Sequence, residues 1–370
     1  MSTRAPHILM VGGGTGGHVY PAIAIADAVR ALRPDAQIVF AGTQDRLEAR
    51  AVPEAGYALH PITAQGLQRR AVASNLLLPF RVAQGLVQSW RLVGAIEPDV
   101  AVGTGGYVAA PVLMAAWLRG RPLLIQEQNA YAGLTNRVLA RLALRIHLAF
   151  PEAKDWVPAE HAVVSGNPTR QSLRDADPDA ARAAFNVPED GRVLLVMGGS
   201  LGSAAINGAI QRILDPLLAE GDVYVVWQTG TRYYDDLTAD LDEHPRLRVV
   251  EYIDQMGHAY AAADLAVCRA GALTCSELTV TGTPAVLVPS PNVTADHQTK
   301  NARSLERAGA AVWRDEADPD AHLDTVLRDL TGKSDRRARM AQAARRPARP
   351  DAAQKPAPHV RALPARHRER

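Results

Sequence analysis

The residues of this chain that are best suited to binding or catalysis are a glycine-rich run, Gly12–Gly17, and the histidine that follows it, His18. The run follows apolar residues 8–11 and precedes an Ala-rich amphipathic stretch, an order that predicts strand, tight turn and helix. Glycines let backbone N–H groups approach a ligand closely, and a helix N-terminus favours an anion. A phosphate-binding loop that ends in an imidazole, which titrates near neutral pH, predicts transfer chemistry on a phosphorylated substrate.

The same loop allows two other interpretations. Gly12, Gly14 and Gly17 fit a dinucleotide-binding fingerprint, which expects an acidic residue at the end of the second strand. The predicted second strand, 37–41, is followed by Gly42 and Thr43, and Asp45 lies beyond its end. A dehydrogenase is therefore disfavoured, and a turn that only packs strand on helix remains as the structural alternative.

A second strand, glycine turn and helix occupies residues 193–214. Gly198–Gly202 forms the turn, Ser203 is a suitable N-cap, and the helix is expected to end ahead of Pro216. Strand and helix patterns alternate through both halves, which predicts parallel sheets with helices on both faces. Because ligands bind outside the carboxyl ends of such strands, we expect the two glycine loops to face each other across a cleft.

Composition narrows the class of protein. Hydrophobic residues make up 47% and charged residues 22% of the chain, which is typical of a globular protein. The net charge of +2 gives no argument for nucleic-acid binding. Cys268 and Cys275 lack metal-ligand spacing and form no disulfide framework, which indicates a reducing cytoplasm. The N-terminal apolar run is too short for a signal peptide, and no stretch approaches the length of a membrane span.

Polar residues are concentrated where further predicted strands end. They lie in Gly103–Tyr107, in Gln126–Asn129 and in Arg269–Glu277. Sugar hydroxyls need such donors and acceptors, although turns and helix caps use the same residues. Glu277, one turn into a predicted helix, could accept both hydroxyls of a ribose or could only stabilise the helix dipole.

Taken in order, these motifs resemble the MurG family of N-acetylglucosaminyltransferases over about residues 7–345. The matching motifs are Gly13–His18, Gly105–Tyr107, Glu127–Asn129, Gly166–Arg170, Gly198–Ser200, Cys268–Ala272, Glu277, and His297–Gln298 with Asn301. The resemblance implies an α/β GT-B fold, with two Rossmann-like domains whose parallel sheets face a cleft. It also implies an inverting hexosyltransferase that moves GlcNAc from UDP-GlcNAc to the MurNAc 4-hydroxyl of lipid I. That step serves peptidoglycan synthesis, cell shape and division.

The resemblance also implies roles for individual residues. His18 would be the general base, with substrate positioning as its alternative role. The implied donor-site residues are Thr15, Gly16, Gly17, Asn129, Arg170, Ser200, Ile253, Ala272, Leu273, Glu277 and Gln298. Among them, the Ile253 backbone would meet uracil, Glu277 the ribose, and Ser200 with Arg170 a phosphate. The acceptor pyrophosphate would lie near Gly105, Gly106 and Tyr107.

No cofactor or metal is expected. The UDP leaving group needs charge stabilisation, which helix N-termini and Arg170 can supply. The acidic run Asp175–Asp179 contains a D-x-D pattern used by metal-dependent glycosyltransferases. Its place before a predicted helix indicates a helix entry instead.

Residues 66–91 predict a membrane-facing segment. Leu76, Leu77, Leu78 and Phe80 stand among arginines such as Arg69, Arg70, Arg81 and Arg91, with Trp90 nearby. Such a pattern suits an anionic lipid surface, while a buried helix with solvated arginines is the alternative. With a lipid-linked acceptor, the expectation is a peripheral protein on the cytoplasmic side of the cell membrane. Elongation or division proteins are further expected partners, and nucleic acid is not.

The expected domains are 1–165, facing acceptor and membrane, and 166–345, binding UDP-GlcNAc. Residues 346–370 are rich in arginine and proline. Because prolines break helices, we expect a poorly ordered tail there, without the helix that usually returns to the first domain in this family. Two other functions remain open: a UDP-sugar epimerase or different glycosyltransferase, and a catalytically silent UDP-sugar-binding scaffold.

Overall fold

The computed structural model describes residues 5–64, 78–219, 221–293, 296–316 and 323–358. The chain divides into two compact units. The first is Met1–Arg170 together with the C-terminal segment from Pro350, and the second is Gln171–Arg349.

The first unit contains a seven-stranded parallel sheet with the strand order β3-β2-β1-β4-β5-β6-β7. Its strands are β1 (His7–Gly12), β2 (Gln37–Gly42), β3 (Ala58–Pro61), β4 (Val100–Gly105), β5 (Leu123–Glu127), β6 (Arg145–Leu148) and β7 (Ala162–Val164). Its helices are α1 (Gly16–Leu32), α2 (Glu48–Glu54), α3 (Leu78–Ile96), α4 (Ala109–Leu118) and α5 (Leu134–Leu139). Residues 8–11 of β1 are all fully buried, as expected of a strand covered by helices on both faces.

The second unit contains a six-stranded parallel sheet with the order β10-β9-β8-β11-β12-β13. Its strands are β8 (Arg192–Met197), β9 (Val223–Gln228), β10 (Leu247–Val250), β11 (Leu265–Cys268), β12 (Ala285–Leu287) and β13 (Ala311–Trp313). Its helices are α6 (Ser172–Asp175), α7 (Pro178–Ala184), α8 (Ala204–Ala219), α9 (Tyr234–Ala239), α10 (Met256–Ala262), α11 (Ala272–Thr281), α12 (His297–Arg307), α13 (Leu323–Gly332) and α14 (Ser334–Arg345).

Both sheets reverse their strand order beside their first strand. β1 lies between β2 and β4, and β8 lies between β9 and β11. The carboxyl ends of these strands form the topological switch point at which open α/β sheets bind ligands. The predicted class, two Rossmann-like α/β domains of the GT-B type, is confirmed.

Helix α8 differs from its prediction. Ser203 accepts a hydrogen bond from the Ile206 N–H at 3.2 Å, which confirms the N-cap, but the helix continues through Pro216 instead of ending ahead of it. The proline forfeits one helical hydrogen bond. Leu217 and Leu218, which are buried against the sheet, offset that loss by packing.

The C-terminal segment also differs from its prediction. Residues 350–358 pack on the first unit, where Ala353 joins Ala24 and Ala28 of α1 and Ala357 joins the core beneath α1. The prolines do end α14, but small alanines let the following turns lie close to the helix surface. Of the predicted tail, residues 359–370 lie outside the described ranges.

Candidate functional site

His18 lies at the start of α1, beside the carboxyl ends of β4 and β5. Its Nδ1 atom is 2.9 Å from the Thr104 carbonyl oxygen and 3.2 Å from Oε1 of Gln128. The Gln128 amide donates to the Gln126 carbonyl oxygen at 3.2 Å, which directs its own oxygen toward the ring. Since a carbonyl oxygen only accepts, Nδ1 carries the proton and Nε2 is left as the proton acceptor in the neutral imidazole.

The acceptor-side loop predicted at Gly105 and Gly106 lies against the first glycine loop. Both glycines have positive φ, at 109° and 88°. A Cβ on Gly106 would lie 2.3 Å from the Gly13 carbonyl oxygen, and one on Gly105 would lie 2.9 Å from the His18 ring. Close packing of the two loops therefore requires glycine at both positions, and it places the predicted acceptor loop beside His18. Tyr107 follows with an exposed ring.

A buried carboxylate, Glu48, lies behind the first glycine loop. It is fully buried at the first position of α2. Its Oε2 accepts from the Gly14 N–H at 2.9 Å, and its Oε1 accepts from the Thr43 N–H at 3.1 Å and the Thr43 hydroxyl at 2.7 Å. A Cβ on Gly13 would lie 2.4 Å from Oε1.

This carboxylate revises the interpretation of the loop as a phosphate cradle. The Gly14 N–H is held by Glu48, and the Gly13 N–H donates to the Gly105 carbonyl oxygen. A negative charge behind the turn also disfavours a second anion in front of it. Glu48 and the Gly105 carbonyl oxygen thus engage the first part of the loop, while Thr15–Gly17 lie where α1 begins.

Asn129 is positioned by the buried Glu127 at the end of β5. Oε1 of Glu127 accepts from the Asn129 N–H at 2.9 Å and from the Asn129 side chain at 3.3 Å. Its Oε2 accepts from the Gly133 N–H at 3.0 Å and the Asn136 amide at 2.8 Å. Four donors thus fix the loop that presents Asn129 at the same sheet edge as His18.

Arg170 is the last residue of the first unit. Its guanidinium lies over the Tyr20 ring of α1, 4.3 Å from the ring centroid. Since Tyr20 is two residues from His18, the structure places this arginine by the start of α1.

In the second unit, Gln228 at the end of β9 connects two predicted donor-site segments. Its amide donates to the Gly199 carbonyl oxygen at 3.0 Å, and its Oε1 accepts from the Ile253 N–H at 3.0 Å. The Ile253 N–H is thereby engaged, so the predicted contact with uracil would be made by the carbonyl oxygen of this residue. Ser200 lies exposed in the same glycine loop, next to Gly199, whose φ is 95°.

Glu277 is a buried carboxylate in α11. It is 6% exposed, and its Oε2 accepts from the Tyr260 hydroxyl at 3.2 Å. Two buried thiols, Cys268 and Cys275, share this environment. Burial raises the pKa of Cys275 to about 12. Burial raises the pKa of Cys268 as well, an effect that the neighbouring Cys275 and Glu277 reinforce. Both thiols therefore stay protonated near neutral pH and act as apolar packing.

The remaining predicted donor-site residues come together at the N-termini of α11 and α12. Ala272 and Leu273 begin α11, while Gln298 in the first turn of α12 accepts from the Ser290 N–H at 2.9 Å. Asn301 donates to the Ala270 carbonyl oxygen at 3.0 Å. That bond ties α12 to the turn before α11, so the two helices begin at the same edge of the sheet.

The acidic run near the start of the second unit is structural. Asp177 caps α7, because its Oδ1 accepts from the Asp179 N–H at 3.1 Å. Asp175 accepts from the Gln171 amide at 2.9 Å. Across the described ranges, no three His, Cys, Asp or Glu side chains cluster as metal ligands would.

Helices α3 and α4 of the first unit expose large apolar side chains. Phe80 is 72% exposed, and Trp90 and Trp117 are exposed as well. The Arg119 guanidinium lies 4.0 Å from the Trp90 ring centroid. Among the described helices, none is long and apolar enough to span a bilayer. Of the predicted membrane-facing segment, residues 66–77 lie outside the described ranges, as do the side chains of residues 78 and 79.

Five positioning residues, Glu48, Thr104, Gln128, Gln228 and Tyr260, were not assigned roles by sequence reasoning. The two glutamines carried a usable signal, since each is a polar residue where a strand ends. Glu48 carries no comparable signal, because acidic residues are common at helix starts.

Comparison with family models decides the family. The N-terminal domain model of glycosyltransferase family 28 matches residues 8–148, and its C-terminal domain model matches residues 193–355. The chain belongs to glycosyltransferase family 28. The predicted hexosyltransferase class is thereby supported.

Similar proteins agree with this family. The chain is 95% identical, over the whole of both chains, to a Salinibacter ruber protein named UDP-N-acetylglucosamine–N-acetylmuramyl-(pentapeptide) pyrophosphoryl-undecaprenol N-acetylglucosamine transferase. The crystal structure of Acinetobacter baumannii MurG is 30% identical with a TM-score of 0.71, covering 97% of this chain and all of that one. A putative UDP-N-acetylglucosamine 2-epimerase from Listeria monocytogenes has a TM-score of 0.68, covering 95% of this chain and 94% of that one. At 13% identity, it shares the fold alone.

Proposed function

We propose that this enzyme transfers GlcNAc from UDP-GlcNAc to the 4-hydroxyl of MurNAc in undecaprenyl-pyrophosphoryl-MurNAc-pentapeptide, converting lipid I to lipid II in peptidoglycan synthesis. The substrates follow from the name of the relative that is 95% identical over the full chain. At that identity, a change of substrate would have to arise from very few residues.

The observation that carries the chemistry is the 2.9 Å contact between Nδ1 of His18 and the Thr104 carbonyl oxygen. Nδ1 donates to the Thr104 carbonyl oxygen, so Nε2 is the basic nitrogen. The acceptor hydroxyl loses a proton as it attacks the anomeric carbon, and Nε2 accepts that proton. Gly105 lies against the same ring, which supports binding of the acceptor beside the base. One in-line attack on the α-linked donor inverts the anomeric centre without a covalent intermediate.

The second unit supplies the nucleotide site in this proposal. Glu277, oriented by Tyr260, accepts the ribose hydroxyls, and the Ile253 carbonyl oxygen meets the uracil ring. Ser200 and the N-terminus of α11 at Ala272 and Leu273 stabilise the two phosphates of the departing UDP, because a helix N-terminus carries partial positive charge. In the same proposal, Thr15–Gly17, Asn129 and Gln298 contact the GlcNAc. Arg170 contacts the phosphate.

We place the enzyme peripherally on the cytoplasmic face of the cell membrane. The exposed apolar side chains of α3 and α4, with Arg119 beside them, support interfacial binding rather than a buried helix. Apolar groups insert at the headgroup boundary while arginines meet anionic lipids. A lipid-linked acceptor requires such an approach, and proteins of cell elongation or division are the partners expected there.

The test is transfer of labelled GlcNAc from UDP-GlcNAc to a short-chain lipid I analogue, with UDP-GalNAc as the donor control. Formation of the β-linked disaccharide with UDP-GlcNAc alone is the expected result. Conversion of UDP-GlcNAc to UDP-ManNAc without acceptor would instead establish an epimerase. Binding of UDP-GlcNAc without turnover of either kind would establish a silent scaffold.

A further inference from the structure

The second unit contains a cleft of about 620 Å³ at the amino ends of β11 and β12. One wall is a single face of α14, formed by residues spaced three or four apart from Ser334 to Arg345. The other walls are α6, the turn from α10 into β11 and the turn from α11 into β12. The predicted donor site lies at the opposite, carboxyl ends of the same strands, so the cleft is a separate feature.

Three arginines line this cleft: Arg174, Arg337 and Arg345. Arg345 donates to the Thr281 carbonyl oxygen at 3.2 Å. Its guanidinium packs on Gly282, where a Cβ would lie 2.5 Å from the guanidinium carbon. Gly282 has a φ of 74°, so glycine both ends α11 and makes room for this arginine.

Arg337 is held in the same way by neutral acceptors, since it donates to the carbonyl oxygens of Leu330 and Thr331. Among the described residues, neither Arg337 nor Arg345 forms an ion pair. Burial lowers the pKa of Arg337, and the charge of Asp264 opposes that shift. A partly buried guanidinium without a contacting carboxylate favours an anion that would offset its desolvation.

The carboxylate in the cleft is already engaged. Asp264 accepts from the Val193 N–H at 2.8 Å and pairs with Arg182 at 3.5 Å. With three arginines and one aspartate among the lining residues, the cleft is cationic even before Arg182 is counted.

We propose that this cleft binds a small polyanion, a molecule with two or more phosphate or carboxylate groups. Guanidinium groups recognise both by paired N–H donors. The volume lies within the range of about 300–1,000 Å³ typical of small-molecule pockets. The Ser334 hydroxyl at the N-terminus of α14 adds a further donor to this wall.

Calorimetric titration of the full-length protein with inorganic pyrophosphate, and separately with citrate, tests the proposal. Saturating UDP is included to fill the donor site. We expect at least one of the two probes to bind, with affinity that falls as ionic strength rises because exposed charges are screened. Preference between the probes distinguishes a phosphorylated from a carboxylated ligand.

Arg345→Gln is expected to weaken this binding by about tenfold or more, and Arg345→Lys by less. The matched control is Arg339→Gln, an exposed arginine of the same helix that does not line the cleft. Equal melting temperatures would show that the variants are folded. The proposal is overturned if neither probe binds, if UDP abolishes binding, or if Arg345→Gln and Arg339→Gln bind alike.

Discussion

Replacing Glu48 by Gln tests whether the first glycine loop must hold its shape for transfer. The carboxylate accepts three hydrogen bonds, two at Oε1 from Thr43 and one at Oε2 from Gly14. The amide oxygen of a glutamine can keep the Thr43 bonds. Its NH₂ group then faces the Gly14 N–H, and two donors oppose each other.

The expected cost follows from that geometry. A buried donor left without its partner costs about 1–3 kcal/mol, although an amide is cheaper to bury than a carboxylate. We therefore expect the free energy of unfolding of Glu48→Gln to fall by about 1–3 kcal/mol. If the turn at Gly14 shifts by about 1 Å, turnover can fall by about 100-fold. UDP affinity should not change, because Glu48 belongs to the first unit.

The measurements are urea unfolding, kcat and KM with a soluble acceptor, and UDP titration. Glu54→Gln is the matched control, because Glu54 ends the same helix in an exposed pair with Arg50 at 3.7 Å. Its effect on unfolding should stay below about 0.5 kcal/mol. Lower stability with unchanged kcat would show that the loop shape does not serve transfer. Unchanged stability would show that the Glu48 bonds contribute nothing.

Other perturbations test the remaining assignments. His18→Ala should lower kcat by about 100- to 10,000-fold while calorimetric UDP affinity is kept; near-normal turnover would end the assignment as base. Glu277→Ala should weaken UDP and UDP-GlcNAc alike by about 1.5–3 kcal/mol, whereas unchanged UDP affinity would leave it a helix-stabilising residue. Transfer should persist in excess EDTA, and loss that Mg²⁺ restores would revive a metal role for Asp175. Phe80→Ser with Trp117→Ser should reduce sedimentation with anionic vesicles and turnover of membrane-embedded lipid I, but not of a soluble acceptor. An equal loss on both acceptors would show that these side chains serve the fold rather than membrane binding.

Much of the fold could be predicted from local patterns. The apolar run at Ile8–Val11, the glycine turns and the alternation of strand and helix have short-range causes, and they gave the two Rossmann-like units and most central strands. Polar residues at strand ends, such as Asn129, located one sheet edge of the site, because parallel strands bring their carboxyl ends together.

The sequence alone did not determine features that depend on distant partners. Pro216 predicts a helix end locally, but burial of the residues after it outweighs one lost hydrogen bond. Ala353 and Ala357 look unremarkable until the first unit provides the surfaces that bury them, which for Ala353 are Ala24 and Ala28 of α1.

The same limit applies to the chemistry of the site. His18 was evident from its position, but its tautomer depends on Thr104 and Gln128, which are far away in sequence. Glu48 resembles any acidic residue at a helix start until folding buries it behind Gly14. Sequence therefore determined which groups are present at the sheet edges. Only the tertiary structure decided which atoms are already hydrogen-bonded and which remain for substrate, because each polar atom satisfies the nearest partner in space rather than in sequence.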